Sequence, residues 1–354
     1  MRRPARRVLG GLGALLILVA CQREPQWQVE TLSIFGGEAE IKLHGADAAQ
    51  TRAALDEIVE RFSQMHRDWH AWEPGALTRL NAALARGESA SAPPSIVDLI
   101  RRSQALSISS DGLFDPAVGG LLRLWGFHTS TFPITAPLPT REQLDAWRQA
   151  RPSIADVVLV GDQVSSLNPE VQLDFGGIAE GVAAEVAVEI LREHQVHNAL
   201  LTLGGDYYAL GDAGGRPWSV GLRDPYGGVL ADIELRDGEA LFTSGNYNKF
   251  RNAPSGARWA HVLDPRSGQP VLGSAAVAVL HRDPVLADIA TTALMIGGVA
   301  RFAALSEQLK VRCALLVTEE NELIVTAAMD ARIRLRREPV RLGEPLGEPG
   351  ECTP

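Results

Sequence analysis

Between Ala155 and Val317 short apolar alternations, separated by turn residues, are interrupted at irregular intervals by helical stretches, and this interleaving constrains the fold most. Val157–Val160 and Val164–Leu167 flank Gly161-Asp162, a pair suited to closing a hairpin. Leu200–Leu203, Trp218–Leu222, Ala231–Leu235 and Ala276–Leu280 predict further strands, and Val311–Val317 with Glu322–Thr326 a last hairpin. Helices are predicted from Gly176-Gly177 to about Glu193 and over Asp288–Ile296. Upstream, Val29–Leu43 alternates as a strand pair broken at Gly36-Gly37. Ala48 to about Arg67 places Leu55, Ile58, Val59 and Phe62 on one helical face, and Ser95–Ser109 does the same with Ile96, Leu99, Ile100 and Leu106. A doubly wound parallel sheet needs regular strand–helix alternation, which is missing. The expectation is a mixed α+β fold, mainly antiparallel sheets with packed helices, in one domain over 31–335.

The N-terminus makes a separate statement. Arg2, Arg3, Arg6 and Arg7 precede an apolar run from Val8 to Ala20, the pattern of a secretory signal over 1–20. The run is short for a transmembrane helix, which needs ~20 apolar residues. Leu18-Val19-Ala20-Cys21 resembles a bacterial lipobox, which predicts lipidation of Cys21 and a polar tether over 21–30. Each buried acyl methylene contributes ~0.8 kcal/mol to membrane anchoring. The expected location is the bacterial cell envelope, as a periplasm-facing lipoprotein of the inner or outer membrane.

The formal net charge of −9 argues against a nucleic-acid partner, and losing the arginine-rich leader makes the chain more acidic still. Cys313 lies in an apolar run and predicts a buried thiol, Cys352 lies in a Gly-, Pro- and Glu-rich tail, and a bond between them is left open. No Cys/His spacing suggests zinc. The tail, 336–354, is expected to be disordered on composition.

Several islands carry possible chemistry. Asp174-Phe175-Gly176-Gly177-Ile178-Ala179-Glu180-Gly181 sets glycines before a helix, where backbone amides and the helix dipole favour a phosphate; close packing is the plainer explanation. Leu113-Phe114-Asp115-Pro116 with Leu124-Trp125-Gly126-Phe127 reads as a loop and a core tryptophan. Leu203-Gly204-Gly205-Asp206 follows a strand, and the hydroxyls of Thr243 and Ser244 in Thr243-Ser244-Gly245-Asn246-Tyr247 suit phosphate oxygens. His261 leads into the turn Asp264-Pro265-Arg266-Ser267-Gly268 without a structural need for histidine. Asp288 and Thr292, four apart, share one side of a helix start and offer hard oxygen ligands for Mg²⁺; an Asp N-cap with an idle Thr is the simpler alternative.

In their order, these islands resemble the ApbE-type family, the FAD:protein FMN transferases, over roughly Leu32 to Val317. The resemblance implies Mg²⁺-dependent transfer of FMN from the substrate FAD to a Thr or Ser hydroxyl of an exported or membrane-bound acceptor flavoprotein, such as a redox-pump subunit, with AMP released. It implies that Asp174 and Glu180 contact FAD, that the Gly177 carbonyl, Asp288 and Thr292 hold Mg²⁺, and that His261 is the acid–base residue. Leu113, Phe114, Asp115 and Leu263 match stretches that contact the flavin nucleotide. The chain departs from the family at Phe35-Gly36-Gly37, where Met-Gly-Thr is common, and at Trp72, which replaces a Tyr and can still stack on an isoalloxazine ring; both are expected at the flavin. Asn246 and Thr291 are further departures. Two other outcomes stay open: an FAD pyrophosphatase yielding FMN and AMP, and a flavin-binding lipoprotein without catalysis.

Overall fold

The computed structural model describes residues 27–34, 37–247, 249–252, 258–337 and 339–352; the leader, Cys21 and Phe35 lie outside them. The central sheet has nine strands, in the order Trp27–Ile34, Gly37–His44, Ala199–Leu203, Asp206–Leu210, Ala240–Gly245, Ser274–His281, Cys313–Thr318, Glu322–Val325 and Val340–Arg341. Its ladders are antiparallel until the last pair, which is parallel. The mixed, mainly antiparallel α+β expectation therefore holds.

Strand alternation sorts side chains between two cores. In Ser274–His281, Val277 and Val279 join the core under the helices, while Ala276, Ala278 and Leu280 join the core on the opposite face. Cys313–Thr318 divides likewise, Ala314 and Leu316 against Cys313, Leu315 and Val317. Strands covered on both faces read as unbroken apolar runs, as these do. One cover is helical and includes Ala48–Trp69, Ala179–Glu193 and Pro284–Gln308; the first of these turns Ala54, Leu55, Ile58, Phe62, Met65 and Trp69 inward. The other cover is a three-stranded antiparallel sheet of Trp218–Arg223, Val229–Leu235 and Ile333–Leu335.

Asp283 caps the helix Pro284–Gln308 by accepting from the Leu286 amide at 2.9 Å, with Pro284 in the first turn. Asp288 consequently sits in the second turn and is not the N-cap. The helix is longer than the predicted Asp288–Ile296, with a break at Gly298, whose φ is +59°. By length and composition it is apolar enough to cross a membrane, but it is a core helix, packed on the sheet and on Ala179–Glu193.

The described residues of the tail, 336–337 and 339–352, are tied into the fold, against the expectation of disorder. Val340–Arg341 pairs with Glu322–Val325, the Leu346 carbonyl accepts from the Ala327 amide, and Cys352 is buried and disulfide-bonded to Cys313. A covalent staple and a strand edge hold a segment whose composition alone would not fold. Cys313 is buried as predicted, but as half of this bond.

Candidate active site

The loop before Ala179–Glu193 is tied to the Phe114-Asp115-Pro116 segment by the Asp174 amide, which donates to the Pro116 carbonyl at 2.8 Å. Asp174 Oδ1 accepts from the Gly176 amide and Oδ2 from His128 Nε2, both at 2.9 Å. Burial raises the Asp174 pKa, but the His128 hydrogen bond and charge, the Gly176 amide and the Lys249 charge together outweigh it and hold the carboxylate below its ordinary value. Trp72 stacks on His128, with centroids 5.0 Å apart and planes 20° from parallel. The turn carrying Trp72 is fixed by His70 Nδ1, which accepts from the Glu73 amide at 2.9 Å. That bond leaves the proton of a neutral His70 on Nε2, facing Glu73 Oε1 at 3.6 Å. The clustered ligand atoms of His66, His70 and Glu73 accordingly present a donor where a metal would need a lone pair.

Two helices cross at Gly181. A Cβ there would lie 2.7 Å from the Pro284 carbonyl oxygen, 2.8 Å from Val285 Cα and 3.1 Å from Asp288 Cβ, so the residue must lack one. The approach lets the Gly181 amide donate to Asp288 Oδ2 at 2.9 Å. It also brings Thr292 beside the loop, with Oγ1 3.4 Å from where a Gly177 Cβ would stand. Gly177, Asp288 and Thr292, expected to share one ion, are thus together.

Three carboxylates of one sign converge here. Burial, then Glu180 and Asp206, push Asp288 well above the usual carboxylate range. Burial, then Glu180, do the same to Asp206, against the pull of the Thr243 hydrogen bonds. Burial raises Glu180 too, countered by Lys249. A set of buried hard oxygens that repel one another is what a divalent cation relieves, and the residues present fit Mg²⁺.

His261 leads from the strand Arg258–Ala260 toward Leu263–Asp264. Its Nδ1 donates to the Lys249 carbonyl at 3.1 Å, and its own amide donates to the same oxygen at 3.1 Å. A carbonyl only accepts, so Nδ1 carries the proton and Nε2 keeps the lone pair of a base. Burial first, then the Lys249 charge, lower the His261 pKa to about 4, against the Lys249 carbonyl and Asp174, which raise it. The ring is therefore neutral near pH 7.

The other residues expected at the flavin nucleotide also make contacts within the fold. Asp115 accepts from the amides of Ala117 and Ile154, both at 2.9 Å, and from Ser153 Oγ at 2.7 Å, clamping its loop to the segment at 153–154. The Thr243 hydroxyl donates to Asp206 Oδ1 at 3.1 Å and Ser244 Oγ meets Thr291 Oγ1 at 2.8 Å, so the hydroxyls expected to hold phosphate are engaged within the protein. Leu113 and Phe114 are core side chains, and Leu263 packs with Trp125, Phe127 and Trp147. Trp125, expected in the core, is there, its Nε1 donating to the Gly268 carbonyl at 2.9 Å. Sequence reasoning missed His128 and Lys249, lone polar residues in irregular segments. Asp206 did have a signal, as the acid closing Leu203-Gly204-Gly205-Asp206.

Residues 35–316 match the ApbE family. An FAD:protein FMN transferase of Rhodobacter capsulatus is 40% identical over 305 residues, 86% of this chain; the chain spans 58% of that relative's length. A protein of the same name from Klebsiella pneumoniae is 30% identical over 315 residues, 88% of this chain and 94% of the relative. Among solved structures, the ApbE protein of Thermotoga maritima superposes with a TM-score of 0.79 at 26% identity, covering 87% of this chain and 100% of that one. The apo flavinyl transferase ApbE of Pseudomonas stutzeri gives 0.74 at 26% identity, covering 88% and 99%.

Proposed function

Because the chain belongs to the ApbE family, we propose that it is an FAD:protein FMN transferase, which moves FMN from FAD to a threonine or serine hydroxyl of an acceptor flavoprotein. The acceptor oxygen forms a bond to the FMN-side phosphorus, the pyrophosphate P–O bond breaks, and AMP leaves with the electron pair. The observation that carries this reading is the crossing at Gly181, which gathers Asp288 and Thr292 onto the Gly177 loop at a helix N-terminus.

The dipole of Ala179–Glu193 favours the phosphates at its N-terminal turn, where the Ala179 and Gly181 amides are already held by the Phe175 carbonyl and Asp288. Mg²⁺ bound by the Gly177 carbonyl, Asp288 and Thr292 would supply charge neutralisation to the phosphoryl group. His261 Nε2 takes the hydroxyl proton, and Asp174 raises its proton affinity as the imidazolium forms. Trp72, partly exposed on the His128 face, offers a stacking surface for the flavin ring. A carrier without catalysis would need neither the oriented histidine nor the carboxylate cluster.

Export and lipidation at Cys21 belong to the same reading, supported by the arginine-led apolar leader and by the Cys313–Cys352 disulfide, which suits an oxidising compartment. The acceptor is then an exported or membrane-bound flavoprotein, such as a redox-pump subunit. The test incubates the protein with FAD, Mg²⁺ and such an acceptor, then reads flavin fluorescence on a denaturing gel and AMP in solution. Fluorescence on the acceptor that EDTA abolishes is expected. AMP released equally fast without acceptor, with no labelled band, indicates hydrolysis, and absence of both AMP and label indicates a carrier.

A further inference from the structure

The site described above is overloaded with negative charge. Asp174, Glu180, Asp206 and Asp288 face one region, and FAD brings a pyrophosphate into it. One divalent ion cannot balance that set, and a phosphoryl transfer gathers further charge on the leaving phosphate. Lys249 lies where a second cation is needed. Its carbonyl oxygen holds both the Nδ1 and the amide of His261 at 3.1 Å, which fixes its backbone beside the base. Its ammonium acts electrostatically on Asp174 and Glu180, six residues apart on the loop and first turn of one helix, and on His261 from the facing segment, so the charge lies within reach of both sides of the site.

We propose that Lys249 is a further catalytic residue, whose ammonium contacts the pyrophosphate of FAD and neutralises the charge that develops as the P–O bond to AMP breaks. The role rests on the transfer reading. In the transfer step the proton goes to His261 Nε2 and the electron pair to the AMP phosphate; Lys249 donates hydrogen bonds and gives up no proton. The two functions of Lys249 are separable. Any substitution keeps the carbonyl and hence the His261 tautomer, so a side-chain variant reports on the ammonium alone.

The experiment compares wild type with Lys249→Met and Lys249→Arg, using AMP release from FAD with Mg²⁺ and acceptor, together with binding of FAD and of riboflavin, which has no phosphate. Removing one preorganised donor aimed at developing charge lowers kcat by about 100-fold or more. Lys249→Met is expected to lose about that factor and to bind FAD more weakly, while riboflavin affinity and Tm stay at wild-type values; Lys249→Arg, which restores the charge, is expected to recover most of the rate. Wild-type turnover and FAD affinity in Lys249→Met would overturn the assignment. A parallel loss of FAD and riboflavin binding would also overturn it, since it indicates a role in shaping the flavin pocket. If the wild type itself releases no AMP, the transfer reading fails, and the FAD-versus-riboflavin comparison still decides whether Lys249 meets the phosphates.

Discussion

Gly181→Ala tests whether the helix crossing builds the site. The added methyl would stand 2.7 Å from the Pro284 carbonyl oxygen and 2.8 Å from Val285 Cα, backbone atoms that cannot rotate away. Ordinary carbon contacts begin near ~3.5 Å, so the helices must part by roughly 0.7 Å or more. Overpacking of this kind costs about 1–3 kcal/mol. The same movement stretches the Gly181–Asp288 hydrogen bond from 2.9 Å, and a bond to a charged acceptor contributes about 1.5–3 kcal/mol. Alanine's better helix propensity returns about 1 kcal/mol. The net loss is about 1.5–5 kcal/mol, which at about 2 °C per kcal/mol for a chain of this size lowers Tm by about 3–10 °C. Because Asp288 and Thr292 move with their helix, the rise in Tm produced by Mg²⁺ should shrink in the variant, and AMP release should fall more than stability explains. Thermal unfolding with Mg²⁺ and with EDTA measures both. An unchanged Tm together with an unchanged Mg²⁺ response would refute the reasoning.

Three further outcomes are expected. Asp288→Asn keeps an oxygen for the Gly181 amide and removes a charge that burial, Glu180 and Asp206 disfavour. Its folded-state pKa is raised, so the wild type loses stability as pH climbs above the unfolded carboxylate value of about 4; in EDTA at pH 7 the variant should melt higher than wild type, the two converging in acid, and only the wild type should gain from Mg²⁺, by about 2.7 kcal/mol at a hundredfold excess over Kd. His261 has a folded pKa lowered to about 4, so stability is complete above the unfolded value near ~6.5 and is lost as pH falls toward 4. His261→Asn should flatten that part of the stability–pH curve, by up to about 3 kcal/mol, in denaturant titrations run across the interval. Cys352→Ser opens a loop of 39 residues and should cost about 2–4 kcal/mol in denaturant midpoint, while FAD binding is retained, because the bond lies in the core on the opposite face of the sheet from the helices.

The parts of the fold legible in the sequence are those where one face of a regular element is buried. Leu55, Ile58 and Phe62 mark the first long helix, and Gly161-Asp162 marks its hairpin, because period and turn chemistry are local properties. The strand Asp206–Leu210 was hidden, since Tyr207 and Tyr208 follow a glycine pair that reads as loop, and the true hairpin turn is Gly204-Gly205 with both φ values positive. The tail was misread because Gly-Glu-Pro composition cannot report a covalent bond made 39 residues away. In the site, Asp174, Gly177, Asp288, Thr292 and His261 stand out in the sequence as motifs, and the close approach at Gly181 explains why the first of these motifs needs a glycine where it faces Asp288. The engagement of Thr243 with Asp206, and of Asp115 with Ser153 and Ile154, was not, since nothing local distinguishes a hydroxyl or carboxylate that meets a ligand from one that meets its own fold. Lys249 and His128 were invisible for the complementary reason: their meaning arises from residues distant in the chain.

The central claim, transfer to protein, is tested most directly by intact-mass spectrometry of an acceptor after incubation with FAD, Mg²⁺ and this protein, with AMP quantified in the same sample. Transfer predicts one FMN adduct per AMP released, located on a threonine or serine and absent with the Asp288→Asn variant. AMP appearing with free FMN and an unmodified acceptor would contradict it.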